Sequence, residues 1–327
     1  MTTTLDDVVK NLRSQFGSDI IMRLDDEPAN IKVIPTGSLA LDRALGVGGV
    51  PCSRITEIYG PEGGGKTTLA QHIVAECQRM GGTAVYIDME HAVDLKYMAA
   101  CGVDTKAVLF SQPNTGTEAL NVIRKLVASN TVDLIVLDSV AAMTSAAEID
   151  ADAGDHFVGI QARMMSQNLK AIVPALGLSK TALVFINQIR MKIGVMYGNP
   201  ETTPGGRALK FYSSVRIRIA KRNWLGPKTN RHGIQSLAVV KKNKVAPPFQ
   251  EAEFDIEWGQ GISKAGDVLD VGVDVGLIER AGSWYSYQGE KIGNGRNATK
   301  EYLNAHPEIM TEIRQQLFAG EQEESDD

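Results

Sequence analysis

The chain is 327 residues long, with 43% hydrophobic and 22% charged residues, the proportions of an ordinary globular protein. At roughly 150 residues per domain it has room for about two domains. No apolar run reaches the roughly 18 residues needed to cross a bilayer, which excludes a helical membrane span. The 34 Lys and Arg against 39 Asp and Glu leave a net charge of −5, which taken alone argues against a nucleic-acid partner.

At the N-terminus, Met1–Asp7 carries threonines and aspartates with neither a basic cluster nor an apolar core, so no secretory signal is expected. Leu5, Val8, Val9, Leu12 and Phe16 recur at helical spacing, with Asp6 and Asp7 early and Arg13 late, which predicts a short amphipathic helix over 5–16. Its apolar stripe either packs on its own domain or forms an arm that docks elsewhere. Cys52, Cys77 and Cys101 show none of the close spacings of metal or redox motifs, and a reducing, cytoplasmic setting is expected.

From Arg54 onward, β-rich apolar runs (Ile55–Tyr59, Ala84–Ile87, Val108–Phe110, Leu134–Leu137, Ala182–Ile186) alternate with helix-length segments, the pattern of a parallel sheet covered by crossover helices. Val215, Ile217 and Ile219 then alternate with Arg216, Arg218 and Ala220, predicting a half-exposed antiparallel strand extended by Gln235–Lys241 and Glu253–Ile256. Past a glycine-rich stretch at 259–266 follow a helix over Asp267–Leu277, an aromatic hairpin at Trp284–Gln288 and a terminal helix from Thr299. A domain boundary is therefore placed near residue 262.

Gly60-Pro61-Glu62-Gly63-Gly64-Gly65-Lys66-Thr67 satisfies the G-x-x-x-x-G-K-[ST] phosphate-loop pattern and stands between a predicted strand and a predicted helix at Thr68–Gln78. Glycines let successive backbone N–H groups converge on phosphate oxygens, and the helix N-terminus adds partial positive charge. Lys66 then reaches the β- and γ-phosphates and Thr67 ligates Mg²⁺. Leu134–Leu137 ends in Asp138, the acid that supports the metal in such sites. Glu90 follows the strand ending at Asp88, on the edge of an open parallel sheet that faces ligand, and could activate water. Asp88 and His91 are rivals that spacing does not exclude, and a plain salt bridge is the bland alternative.

Between Thr202 and Gln250 stand 11 Lys or Arg residues and no Asp or Glu, a basic block inside an acidic chain. Just before it, Arg190–Pro200 mixes cations, glycines, apolar groups and Tyr197 in a segment too long for a tight turn. Cations on phosphates with apolar or aromatic contact to bases make a sequence-tolerant single-strand surface. Arg216 and Arg218 read as a solvated sheet face, whereas Arg190, Lys192, Arg207 and Lys210 read as phosphate contacts. Phe318–Asp327 holds 5 acids and no base, the composition of a disordered tail.

The strings Ile58–Glu62, Tyr86–Asp88, Glu90–Ala92, Leu137–Ala142, Ala162–Gln167, Phe185–Gly194 and Gly198–Thr203 closely resemble bacterial RecA recombinases, and the resemblance runs from about Phe16 to the tail. It implies an α/β fold: a RecA-like core (31–262) with a mostly parallel sheet extended by antiparallel strands. An N-terminal helical arm for oligomerisation (1–30), a small α+β C-terminal domain (263–317) and an acidic tail (318–327) would complete the chain. It also implies a DNA-dependent ATPase that forms a head-to-tail helical filament on single-stranded DNA, exchanges strands with duplex DNA, and in the SOS response presents itself to a self-cleaving repressor.

Carried over by matched position, ATP and Mg²⁺ fall to residues 60–67 with Thr68. Glu90 activates water, Asp138 supports the metal, and Asp94 and Tyr97 lie at the adenine. Gln188 senses the γ-phosphate and orders a DNA-binding loop over 189–204, which carries Arg190, Met191, Lys192, Gly194, Val195, Met196, Tyr197, Gly198, Asn199 and Thr202. Gly205, Gly206 and Arg207 follow. A second DNA loop over 151–158 is followed by Arg163. Lys242 and Lys244 reach the neighbouring subunit's ATP, and Phe211 is an interface residue. Gly63-Gly64 replace two serines usual in the family, Ala151 a glycine and Pro204 a threonine. A ring-forming ATPase or helicase shares the phosphate loop and Asp138 but not the 185–206 strings.

Overall fold

The computed structural model describes residues 4–17, 20–21, 31–145, 159–191, 198 and 200–323, with side chains to 317. It divides into two units, 1–32 and 33–327. In the first, α1 (Leu5–Phe16) begins with a reciprocal cap: the Asp7 N–H donates to the Thr4 hydroxyl while the Thr4 N–H donates to the Asp7 carboxylate. None of its residues is buried, and Leu5 and Phe16 are exposed.

The second unit is built on a nine-stranded sheet. In chain order its described elements are β1 (Val33–Ile34), α2 (Leu39–Leu45), β2 (Val50–Pro51), β3 (Ile55–Gly60), α3 (Lys66–Arg79), β4 (Ala84–Asp88), α4 (Leu95–Ala100), β5 (Leu109–Ser111), α5 (Gly116–Ser129) and β6 (Leu134–Asp138). A short 3₁₀ turn over Val140–Ala142 follows β6. The chain then continues through α6 (Ile160–Gly177), β7 (Ala182–Gln188), β8 (Arg190–Met191), β9 (Glu201–Thr202), α7 (Ala208–Tyr212), β10 (Val215–Leu225), β11 (Gly233–Asn243), β12 (Glu251–Glu257) and β13 (Gly261–Ile262). Strand order across the sheet is β13-β12-β11-β10-β3-β7-β6-β4-β5. The half from β10 to β5 pairs parallel and the half from β13 to β10 antiparallel.

Alternation explains the two cores. In β6 and β7, Leu134, Val136, Ala182, Val184 and Ile186 join Leu69 and Ile73 of α3 on one face. Ile135, Leu137, Leu183 and Phe185 join α5 and α6 on the other. Strands covered on both faces read as unbroken apolar runs, which is why the parallel half stood out in the sequence. β10 is the seam. Its first residues pair parallel with β3, Val215 opposite Thr56 through Arg218 opposite Tyr59, while its other edge pairs antiparallel with β11.

The last elements are α8 (Lys264–Asp274), a three-stranded antiparallel sheet of β14 (Ile278–Ala281), β15 (Trp284–Tyr287) and β16 (Glu290–Asn294), then α9 (Arg296–Ala305) and α10 (Pro307–Glu323). They share a third core that also takes in Leu39 of α2. The aromatic segment expected as a hairpin is the middle strand of this sheet. The helix expected from Thr299 is two helices, because Pro307 opens a new one at its first position. α10 runs to Glu323, further into the acidic segment than the boundary expected at 318; residues 324–327 lie outside the described ones.

Asp267 ties α8 to α2. It is buried, and its carboxylate accepts the backbone N–H of Leu39 and, at 3.3 Å, that of Ala40. Burial pushes its carboxyl up to about 7 and also holds that of Asp42, in α2, well above its usual range. An unfolded aspartate ionises near 3.9, so between about pH 4 and pH 7 the unfolded chain releases a proton that the folded chain keeps, and stability falls as pH rises. Asp267→Asn is expected to flatten, without abolishing, the decline in urea midpoint between pH 5 and pH 7.5. An unaltered slope would contradict the role of Asp267.

Candidate nucleotide site and nucleic-acid loops

Four strand ends meet at one edge of the sheet: Gly60 lies opposite Gln188 across β3 and β7, and Asp88 opposite Asp138 across β4 and β6. Gly60–Gly65 leaves this edge and turns into α3. Gly65 has φ +95°, a backbone conformation that favours glycine, and it lies against β12, where a Cβ would come within 2.2 Å of the tip of Ile256, Cδ1. Gly63 has φ +66° with open space around it. Serine there would be limited by backbone strain and not by room, so the glycine found in place of the family's serine suits the loop as it stands.

Lys66 is buried, and its ammonium donates to the Pro61 carbonyl at 2.8 Å. Burial draws its pKa down, opposed by the charges of Asp138, Glu90 and Glu62. The Thr67 hydroxyl donates to Asp138 Oδ2 at 2.9 Å, and the Tyr86 hydroxyl donates to the same oxygen at 2.7 Å. Burial pushes the Asp138 carboxyl up to about 6, with these two hydrogen bonds opposing the rise. A glycine cradle open at Gly63, a helix N-terminus and a lysine suit a polyphosphate. A hydroxyl beside a carboxylate, here Thr67 beside Asp138, suits a hard, oxygen-preferring cation such as Mg²⁺. The residues present fit both groups.

The three candidates for water activation separate here by where their hydrogen bonds go. Asp88 accepts the backbone N–H groups of Glu90, Ala92 and Val93 at 3.0, 3.1 and 3.3 Å and the Gln112 amide at 3.1 Å, so its carboxylate is committed to shaping the turn. His91 is exposed and adopts φ +53°. Glu90 Oε1 accepts from the Ser139 hydroxyl at 2.5 Å and from Gln188 Nε2 at 3.2 Å. The carboxylate that follows β4 is thereby joined to both the residue after Asp138 and the last residue of β7.

Asp94 caps α4, accepting the Lys96 and Tyr97 N–H groups at 2.8 and 3.2 Å. The Tyr97 hydroxyl meets that of Thr68 at 2.9 Å, and burial pushes its pKa up to about 12. Of the two residues expected at the adenine, Tyr97 thus borders the start of α3, while Asp94 caps the helix that carries it.

Beyond Gln188 the chain forms a two-stranded ribbon, Arg190 opposite Thr202 and Met191 opposite Glu201. Arg190 and Met191 are exposed. The ribbon's return end is held through Asn187, whose amide donates to the Pro204 carbonyl and to Glu57 Oε1, both at 3.1 Å. Lys192, Gly194, Val195, Met196, Tyr197 and Asn199 lie outside the described residues, as does the loop 151–158; Gly198 is described singly. Arg163, on α6, and Arg207 are both exposed. Gly206 abuts this helix, a Cβ there falling 2.6 Å from Ala162 Cβ. Gln161 fastens the region, accepting the Gly205 N–H at 3.1 Å and donating to the Val140 and Met143 carbonyls at 2.7 and 3.1 Å.

The basic block is less free than its composition suggests. Arg216 was read as solvated; its side chain is 13% exposed and pairs with the fully buried Glu57 while stacking over Tyr59 at 4.3 Å. Arg218, read likewise, binds Glu201 through two hydrogen bonds of 2.9 and 2.6 Å. Both readings are corrected, because acids outside the segment supply the partners. Lys221 and Arg231 lie over the Trp224 ring at 3.7 and 4.2 Å. Lys242 donates to the carbonyls of Lys210 and Phe211 at 2.8 and 3.0 Å, tying it to the helix that presents the exposed Phe211; Lys244 is exposed. Reading by motif gave no role to Gln161, Ser139 or Tyr86, although all three lie in or beside strings that carried the resemblance.

Comparison with known proteins agrees with this architecture. The RecA N-terminal domain model matches residues 3–263 and the RecA C-terminal domain model residues 266–320. The chain is 51% identical over 315 residues to Protein RecA of Heliobacterium modesticaldum, covering 96% of this chain and 91% of that protein. It is 52% identical over 317 residues to Protein RecA of Symbiobacterium thermophilum, with the same coverages. Among solved structures, the RadB recombinase crystal structure is similar with a TM-score of 0.53 at 21% identity, covering 70% of this chain and 98% of that one; it bears on the fold alone. Two family models that together span nearly the whole chain, and relatives at half identity along it, show that the chain belongs to the RecA family of recombinases.

Proposed function

We propose that this chain is an ATP-dependent recombinase that assembles head to tail as a helical filament on single-stranded DNA, pairs it with homologous duplex DNA, and acts in the cytoplasm in repair and the SOS response. The observation that carries this reading is the Glu90–Gln188 hydrogen bond of 3.2 Å. It joins the carboxylate best placed to act on water to the residue from which the ribbon toward the DNA-contact segment departs. Occupancy of the nucleotide site and the posture of that ribbon are then mechanically linked.

In this reading Lys66 and the backbone N–H groups of the 60–67 loop hold the β- and γ-phosphates of ATP, with Asp94 and Tyr97 beside the base. Thr67 and Asp138 hold Mg²⁺, which when bound neutralises charge on the phosphate oxygens. Glu90 takes a proton from the attacking water as the water oxygen bonds to the γ-phosphorus and the bond to the ADP oxygen breaks. Gln188 exchanges its contact with Glu90 for the γ-phosphate and so reports the nucleotide state to residues 189–204. Arg163, Arg190, Lys192 and Arg207 contact DNA phosphates, with Met191, Gly194 to Asn199, Thr202, Gly205 and Gly206 lying along the strand. Phe211, Lys242 and Lys244 face the neighbouring protomer, an arrangement whose non-closing repetition builds a filament. A self-cleaving repressor is a further partner of the assembled form.

The test is ATP turnover with and without single-stranded DNA, alongside formation of a joint between that strand and a homologous supercoiled duplex. DNA-stimulated turnover coupled to homologous joints is expected. Strand unwinding without homologous pairing would overturn the recombinase reading.

A further inference from the structure

The roles above leave one buried contact of the site unused. Tyr86, in the middle of β4, is fully buried, and its hydroxyl donates to Asp138 Oδ2 at 2.7 Å, the same oxygen that takes the Thr67 hydroxyl at 2.9 Å. Two hydroxyl donors converging on one carboxylate oxygen fix the rotation of that carboxylate about its Cβ–Cγ bond. The Tyr86 ring is itself held: it stacks on Phe110 of β5 with centroids 6.5 Å apart and planes inclined by 14°, and it belongs to the core on the α3 face. Packing here asks only for a ring, which phenylalanine would provide. Burying a hydroxyl carries a desolvation cost unless a partner satisfies it, and the partner at hand is Asp138.

We propose that Tyr86 is a positioning residue for the cation–nucleotide site, its hydroxyl holding the Asp138 carboxylate in the orientation that supports Mg²⁺ beside Thr67. The inference rests on the reading of Thr67 and Asp138 as the cation site. It assigns to a core residue an effect on metal affinity, because groups that orient a ligating or metal-supporting side chain ordinarily change metal affinity by roughly 10- to 100-fold when removed.

The experiment compares wild type, Tyr86→Phe and Asp138→Asn in equilibrium titrations with a fluorescent N-methylanthraniloyl ADP, first in EDTA and then across a Mg²⁺ series. Tyr86→Phe keeps the ring and its stack on Phe110. The expected result is unchanged nucleotide affinity in EDTA with a roughly tenfold rise in the Mg²⁺ concentration needed for the Mg²⁺-dependent gain, and a larger defect in Asp138→Asn. A loss of nucleotide affinity equal with and without Mg²⁺ would mark Tyr86 as merely structural and overturn the proposal. A normal Mg²⁺ requirement in Tyr86→Phe beside an impaired Asp138→Asn would overturn the role of Tyr86 alone. A normal Mg²⁺ requirement in Asp138→Asn would overturn the cation site, and the inference with it.

Discussion

Glu90→Gln is expected to keep ATP binding and filament assembly while lowering DNA-stimulated turnover by roughly 10²- to 10⁴-fold, the usual contribution of a positioned general base. Glutamine is the informative choice because its carbonyl oxygen can still accept the Ser139 and Gln188 hydrogen bonds that Glu90 Oε1 accepts at 2.5 and 3.2 Å. The local structure is preserved and only the capacity to take a proton is lost. Single-turnover hydrolysis on single-stranded DNA, with nucleotide affinity measured alongside, separates the two effects. Turnover close to wild type would remove Glu90 from the chemistry. Asp88 would be a poor successor, since four hydrogen bonds from the Glu90, Ala92, Val93 and Gln112 nitrogens already occupy its carboxylate.

Lys66→Ala should act one step earlier, at binding. The Lys66 ammonium is buried at the start of α3, within the field of Asp138, Glu90 and Glu62. A polyphosphate entering the cradle adds further negative charge, and without the lysine that charge is left beside carboxylates with little water to screen it. The expected loss is about 3 kcal/mol, more than a hundredfold in affinity for ATP or ADP. Calorimetric titration measures it, and a thermal melt of the variant shows that the fold survives. Lys66→Arg keeps the charge but brings a planar fork into a space that holds a slender stem, so it is expected to recover only a fraction of the affinity. Nucleotide binding unaffected in both variants would show that the loop does not grip phosphate through this residue.

Much of this site could be read from the chain because its signals are local. The phosphate loop, the apolar run ending in Asp138 and the carboxylates after β4 each occupy a few consecutive residues, and each stands at a strand end. The choice among Asp88, Glu90 and His91 could not be made locally, since it depends on which backbone and side-chain donors turn toward each group. Arg216 and Arg218 were misread for a related reason. Their alternation correctly marks a strand, but their partners, Glu57 and Glu201, come from a neighbouring strand and from the ribbon, and composition within a window cannot register them. β10 was foreseen as an antiparallel strand; that it also pairs parallel with β3 follows from where the chain returns to the sheet, which no periodicity encodes.

The seam at β10 bears on how the protein is made. The phosphate loop leaves the ribosome early, yet later residues pack close against it: a Cβ at Gly60 would fall 1.9 Å from the Ile219 carbonyl oxygen, and one at Gly65 would fall 2.2 Å from Ile256 Cδ1. A nascent chain that ends at β6 holds every residue of the motif but not the β10 and β12 surfaces against which the motif is folded. Contacts of such long sequence separation form late and slowly. The surroundings of the phosphate loop are thus completed only when synthesis has passed β12, and until then the loop lacks the neighbours that wall it in the folded protein.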